Sequence, residues 1–260
     1  MRFHIFEFED LPWLPTVVRD GMTDFLQFLL QLIDFYRPVS KYVKQLMEHT
    51  GALQVIDLCS GGGGYAAQLQ KNLSLDMHRD VKVTLTDKYP NITKYEYYKQ
   101  NTGGHLDYVS TPIDATEVPE SLQGVRTMFS AAHHFTPKSL KGILSSAVAA
   151  KAGIAIFDGG NRNPFMIVAL ILVFPVLFLC CTPFIKPFKW SRIFLTYVLP
   201  VIPLLTMWDG AVSIWRLHSP DELATMAAEA SHGLNTSYKW QAGKISNKLG
   251  MKISFLMGHP

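Results

Sequence analysis

Cysteine is scarce in this chain, and so is unbalanced charge. Three cysteines, two of them adjacent at Cys180 and Cys181, cannot build a disulfide framework, which points to a reducing compartment. The formal excess of +3 is matched by Lys186, Lys189 and Arg192 alone, leaving 21 basic against 21 acidic residues elsewhere. A diffuse basic surface is therefore lacking, and no nucleic-acid partner is expected. The first ten residues are charged and mixed, without the apolar stretch of a secretory signal. Internal repeats and low-complexity tracts are missing as well. Two stretches lack charge altogether: Phe165–Ile185 is 21 residues and Ile193–Trp208 is 16.

At 260 residues the chain is long enough for one α/β domain with an embellishment. After an irregular start containing Pro12, Trp13 and Pro15, Thr23-Asp24 reads as a helix cap. Phe25, Phe28, Leu29, Leu32, Ile33 and Phe35 then form an apolar face that ends before Pro38. Such a helix would cover the sheet, or act as a lid carrying Trp13, Arg19 and Asp24 over a cleft. A second helix is predicted over Ser40–His49. From Gln54 the pattern alternates. Strands are predicted at Gln54–Leu58, Val81–Thr86, Tyr108–Ile113, Arg126–Ser130 and Gly153–Phe157, and helices at Tyr65–Asn72, Asn91–Asn101 and Lys138–Lys151. That alternation implies a parallel sheet with right-handed crossovers. A helix over Asp221–Ala230, capped by Ser219 or Pro220, precedes two short strands, Tyr238–Gly243 and Lys252–Met257, around a turn with Asn247 and Gly250.

The two uncharged runs interrupt this pattern. A bilayer needs about 20 apolar residues per helix, which the first run supplies and the second barely approaches. Pro175 would break the first run, and Pro200 and Pro203 the second. If both runs crossed, the basic loop between them would face outward, against the positive-inside tendency. The expectation is a helical hairpin that dips into the bilayer or lies on it, with Lys186, Lys189 and Arg192 against anionic headgroups and Trp190 at the interface. A buried helical subdomain or a dimer interface is the alternative. Cys180 and Cys181 are read as packing groups, with acylation possible.

Chemistry concentrates at Val55-Ile-Asp-Leu-Cys-Ser-Gly-Gly-Gly-Gly64, a strand running into four glycines and then a helix. Gly61, Gly63 and Ala66 formally satisfy a dinucleotide fingerprint. A pyrophosphate would, however, lie beside the Asp57 carboxylate, and residues 58–70 contain no Lys or Arg to offset it. S-adenosyl-L-methionine carries sulfonium and ammonium charges and no phosphate, so Asp57 favours it.

These residues resemble the class I S-adenosylmethionine-dependent methyltransferases. Asp57-Leu-Cys59-Ser60-Gly61-Gly-Gly63 is similar to the family's acid followed by alternating glycines, with Cys59 standing at the first glycine. Asp87 ends the next apolar strand, where the family places an acid on the ribose hydroxyls. Asp114-Ala115 matches the segment near the adenine, although Asp114 could equally cap a local turn before Glu117. Phe129–Phe135, with His133 and His134, is similar to the segment after the fourth strand that lines donor and substrate. The resemblance covers about residues 50–160 and 210–260 and implies a doubly wound Rossmann-like α/β sheet of seven strands with a terminal antiparallel pair.

Within it, His133 or His134 would serve as general base for a hydroxyl acceptor, since histidine titrates near neutrality. Trp13 and Arg19 in the lid, Asp158 at the fifth strand tip and Asp209 at the end of the apolar segment are candidate acceptor-binding residues. The alternative for Asp209 is the polar residue that ends a helix at the membrane interface. No metal site is assigned. The expected organisation is a helical lid (1–50), a donor-binding core (51–163), an apolar membrane-associated hairpin (164–208) and a C-terminal completion of the core (209–260). The expected setting is the cytoplasmic face of a membrane, with the lipid surface and a lipophilic small molecule as partners and the oligomeric state unassigned.

Overall fold

The computed structural model describes residues 5–160, 162–232 and 237–260; Asn161, part of the fifth-strand tip noted above, lies outside them. β1 (Gln54–Leu58), β2 (Lys82–Leu85), β3 (Leu106–Tyr108), β4 (Val125–Phe129), β5 (Ile154–Gly159), β6 (Lys239–Ser246) and β7 (Lys252–His259) form one sheet in the order β3-β2-β1-β4-β5-β7-β6. β1 to β5 are parallel, with Val55 opposite Val83 on one side and Val125 on the other. β7 enters antiparallel, pairing Ile154 with Gly258, and β6 pairs with β7 at the sheet edge. The fold is thus the expected doubly wound seven-stranded α/β sheet with an antiparallel pair at one edge.

Alternation along β1 divides its side chains between two cores. Val55 joins Val83, Leu85, Leu69 and Leu73 on the face covered by α2 (Ser40–Thr50) and α3 (Gly64–Met77). Ile56 and Leu58 join Leu140, Leu144 and Leu223 on the other face, beneath α5 (Pro137–Ala149) and α9 (Pro220–Ser231). Ser219 caps α9 in a full capping box with Glu222. α4 (Ile92–Asn101) links β2 to β3 and is capped by Asn91. The third strand differs from expectation: it occupies Leu106–Tyr108, and the β-branched run after it leaves the sheet on the way to Pro112.

A third core lies outside the sheet. α1 spans Thr16–Leu32, beginning behind Pro15 rather than at Thr23-Asp24 and ending at Ile33, before Asp34, whose φ is 44°. The apolar face starts about two turns earlier than expected, with Leu14, Val18, Met22 and Phe25 buried against Phe178, Ile185 and Ile202. Thr23 sits mid-helix with its hydroxyl on the carbonyls of Arg19 and Asp20.

The apolar segment is three helices: α6 (Pro164–Cys181), α7 (Trp190–Tyr197) and α8 (Val201–Arg216). α6 runs through Pro175, which was expected to break it; one lost hydrogen bond is outweighed by the turns on either side. Pro200 caps α8 and Pro203 lies in its first turn, where a missing N–H is least costly. α8 also runs past residue 208, so Asp209 is mid-helix and ends nothing.

Phe178 stacks on Phe25 with ring centroids 3.5 Å apart. Arg192 is buried, and its guanidinium bonds the fully buried Asp24 of α1. Lys189 lies 3.4 Å from Asp20 and 3.6 Å from Asp24, and Lys94 of α4 lies 3.4 Å from Asp24. The loop charges expected to meet headgroups are therefore largely consumed inside the protein, because a buried carboxylate must be paired. The outer side of α6 is different: Phe165, Leu172, Val176 and Leu179 are exposed, as is Trp190. Among the described residues, one helical stretch, Pro164–Phe184, is long and apolar enough to cross a bilayer. α7 and α8 meet at a bend of 75°.

Candidate functional site

The glycine turn sits where β1 ends. Asp57 is buried beneath it and accepts a hydrogen bond from the Thr127 hydroxyl of β4 at 2.7 Å. Ser60 braces the turn by donating its hydroxyl to the Asp57 carbonyl at 2.9 Å and its N–H to the Thr86 carbonyl at 3.0 Å. Asp87 follows β2 and faces the turn. One of its oxygens accepts the Gly61 N–H at 2.7 Å and the other the Tyr89 N–H at 2.7 Å. Gly61 (φ 54°) and Gly63 (φ 75°) occupy the left-handed region, and so does Cys59 (φ 55°). The residue standing at the resembling family's first glycine thus keeps a backbone conformation that glycine adopts without cost.

The field at this turn is acidic. Burial raises the Cys59 thiol well above its usual range, and Asp87, Asp57 and Asp114 each push it further. Burial also raises Asp57 to about 7, against the hydrogen bonds from Thr127 and Ser60. Asp87 is raised too, chiefly by burial. Asp114 behaves differently. Its carboxylate accepts from the Thr116 N–H at 2.9 Å and hydroxyl at 2.7 Å, lies 3.4 Å from Lys88, and is held low by those contacts. This is the local turn left open by the sequence. Ala115 beside it is buried in the second core.

α1 lies directly on the turn. Gln27 Nε2 donates to the Ser60 carbonyl at 3.2 Å, and a Cβ at Gly62 would approach Gln27 Oε1 to 2.4 Å.

The second half of the site follows β4. Residues Ala132–His134 form a 3-10 turn that carries His133 inward, where its Nδ1 lies 3.1 Å from Asp158 on β5. Burial opposes ionisation of Asp158, but the charge and hydrogen bond of His133, with the field of His218, hold it below the usual carboxylate range.

His134 meets a strap formed by residues 7–10. Its Nδ1 lies 2.8 Å from Asp10 and 3.0 Å from Glu7. Arg216, at the end of α8, is fully buried, 3.1 Å from Glu7 and 2.7 Å from Asp10, and donates to the His134 carbonyl at 2.9 Å. Asp209 holds the strap by accepting the N–H groups of Phe8 at 2.8 Å and Glu9 at 3.0 Å. Arg19 ties it to α1 through the carbonyls of Glu9 and Leu11, and its guanidinium lies 4.2 Å from the Tyr89 ring centroid. The structure therefore brings together His133, His134, Asp158, Asp209 and Arg19, whereas Trp13 is 68% exposed. Asp209 is a clasp for the strap, and its carboxylate is occupied by backbone. Glu7, Glu9, Asp10 and Arg216 went unmarked in the sequence because nothing local distinguishes them.

Burial favours a neutral His134, but Glu7, Asp10 and Glu9 outweigh it and raise the ring to about 10. Burial would raise Asp10 as well, yet its bonds to His134 and Arg216 bring it down to about 2. Burial, with Asp209, Glu7 and Asp87 nearby, raises Glu9 to about 7 in spite of His134. These acids favour the protonated form of His134, while His133 is turned the other way, toward Asp158.

No protein-family model matches the chain, and no curated protein matches its sequence. Among solved structures it is similar to an O-methyltransferase family protein from Burkholderia thailandensis, at 14% identity and a TM-score of 0.47, covering 86% of this chain and 55% of that one. It is also similar to mitomycin 7-O-methyltransferase, at 12% identity and a TM-score of 0.49 over 86% of this chain and 54% of that one. Human N-acetylserotonin methyltransferase, in complex with SAM, aligns at 12% identity and a TM-score of 0.48 over 92% of this chain and 56% of that one. The chain spans about half the length of these three proteins.

Proposed function

We propose that this chain transfers the methyl group of S-adenosyl-L-methionine to a lipophilic acceptor held at the cytoplasmic face of a membrane. The observation that carries the reading is the Asp87 carboxylate on the Gly61 N–H, with Asp57 buried beneath the same glycine turn and no Lys or Arg in residues 58–70. Carboxylates favour a cationic ligand without phosphate, and a pyrophosphate there would be repelled. Asp87, with lone pairs beyond its two backbone bonds, would hold the ribose hydroxyls. The Gly61–Gly63 backbone would lie along the donor, Asp57 would favour its cationic end, and Asp114 with Ala115 would border the adenine.

When bound, the donor supplies a methyl group already activated on a sulfonium, so the protein's task is mainly alignment. His133, oriented by Asp158, would take the proton of a hydroxyl acceptor. The strap and α1 would exclude water from the site. The lipophilic acceptor is supported by the exposed apolar side of α6 and by α8, which runs from the apolar segment to Arg216 and the strap.

Calorimetric titration with S-adenosylhomocysteine against NAD tests the cofactor; tight binding of NAD alone would overturn it. Radioactive methyl incorporation into a lipid extract tests the acceptor. Leu172→Glu with Val176→Glu on the exposed side of α6 should abolish that incorporation and leave donor binding intact. Undiminished lipid methylation by this variant would sink the membrane-acceptor reading. Methylation confined to a soluble extract would instead favour a soluble acceptor with the apolar segment as anchor. Donor binding without transfer to any extract would favour a non-catalytic scaffold.

A further inference from the structure

We propose that the cavity beneath the C-terminal end of α5 binds one small organic carboxylate, received by the guanidinium of Arg126. The cavity measures about 420 Å³, a size that suits a small molecule. Val118, Leu122 and Ala149 give it apolar wall, and Arg126 and Ser146 give it polar groups. It lies at the amino end of β4, where Arg126 is the second residue, whereas the glycine turn follows the carboxyl end of β1. The two sites are therefore at opposite ends of a parallel sheet.

Arg126 is the residue that points to a ligand. It is 3% exposed, and strand alternation puts it on the same face as Met128, in the layer covered by α5. Arg192 and Arg216 are as deeply buried, yet the first bonds Asp24 and the second lies against Glu7 and Asp10. Among the described residues Arg126 meets no carboxylate. Its side chain makes one hydrogen bond there, from Nη1 to the Ser146 hydroxyl at 3.1 Å, and its buried Nε donates to nothing. The end of α5 does not answer it either: the carbonyls of Ser146, Ala147 and Val148 accept the N–H groups of Ala150, Ala152 and Lys151. Burial lowers the guanidinium from its ordinary pKa, with Tyr238 set against that shift. A buried cation without a counter-ion is costly, and an anion in the cavity would remove the cost.

The chemistry of the lining selects the class of anion. With Nη1 committed to Ser146, Arg126 keeps Nε and Nη2, the edge whose parallel N–H groups fork onto a carboxylate. One guanidinium matches one negative charge. Glu120, exposed at the rim of the cavity, repels a second, which disfavours a phosphate dianion. The apolar wall of Val118, Leu122 and Ala149 suits a short aliphatic tail. In the sequence Arg126 marks only the first residue of a predicted strand, because Ser146 and the end of α5 reach it from a distant element.

The site does not depend on the methyl-transfer reading. Sodium butanoate is titrated into the full chain against sodium chloride at matched ionic strength, with thermal unfolding as the readout. Butanoate should raise the unfolding temperature saturably, by several degrees at about 100 times its Kd, and neutral n-butanol should not. Arg126→Met should fold, since it replaces an unpaired buried cation by an apolar side chain, and should abolish the butanoate shift. Ala150→Phe, at the exposed rim, keeps Arg126 in place and should raise the butanoate Kd about tenfold or more by filling the cavity. A wild-type chain that responds to butanoate no more than to chloride overturns the proposal, as does an Arg126→Met protein that folds and keeps the wild-type shift. A shift produced by inorganic phosphate and not by butanoate overturns the ligand class. The wild-type comparison requires no variant to fold. S-adenosylhomocysteine titrated into the same sample reports on the donor site separately, so either reading can fail alone.

Discussion

The guanidinium of Arg192 closes on the carboxylate of Asp24 across 168 residues of sequence, joining the apolar segment to α1. Lys94 of α4 and Lys189, the N-cap of α7, converge on the same carboxylate, so one fully buried acid is shared by three cations. Asp24→Asn should therefore destabilise the protein by about 3–5 kcal/mol, because it leaves buried cations unpaired. Asp24→Leu combined with Arg192→Met should recover part of that loss. Denaturant titration of the three proteins checks this, and a single variant as stable as wild type would refute it.

Asp87 braces the glycine turn through Gly61 and faces the proposed ribose site. Asp87→Ala should weaken S-adenosylhomocysteine binding by about tenfold to a hundredfold, the loss of roughly 1.5–3 kcal/mol of charged hydrogen bonding. Asp87→Asn, which retains one acceptor oxygen, should lose less. Calorimetry gives both constants.

Asp57 sets a pH dependence of defined sign. Its folded pKa of about 7 lies above the ordinary 3.8, chiefly through burial. It therefore contributes stability that is complete below pH 3.8 and lost as pH rises to about 7. In the donor-free protein, the stability difference between wild type and Asp57→Asn should fall by on the order of a few kcal/mol across that window and level off above it. Thermal unfolding measured against pH follows it. A cationic donor prefers the ionised acid, so donor affinity should rise across the same window, with a proton released into the buffer.

Cys59 has a positive φ that a side chain makes costly. Cys59→Gly should stabilise the protein by about 0.5–1 kcal/mol, the relief of left-handed strain exceeding the added freedom of the unfolded chain. A higher melting temperature with unchanged donor affinity is the expected result.

The sheet was legible because its strands are short apolar runs punctuated by glycine and acid, and Asp57 and Asp87 stand out as charges at strand tips. α1 was misplaced because Thr23 and Asp24 resemble a cap, whereas Asp24 is polar to meet Arg192, a partner no local window contains. Val109–Ile113 has more β-branched character than Leu106–Tyr108, yet pairing with β2 selects the latter. Lys189 and Arg192, beside an apolar run, read as headgroup contacts until the acids of α1 are placed opposite them. Glu7 and Asp10 gain meaning only when Asp209 and Arg216 draw the strap onto the histidines. In each case the deciding partner lies on a distant element.

β7 follows β6 in the chain but lies between β5 and β6 in the sheet. During synthesis β6 emerges first with nothing to pair against, its hydrogen-bonding groups open until β7 arrives and inserts beside β5. Sheet completion therefore waits on residues Lys252–His259, and ribosome-bound chains lacking them should be prone to aggregate through an unpaired edge.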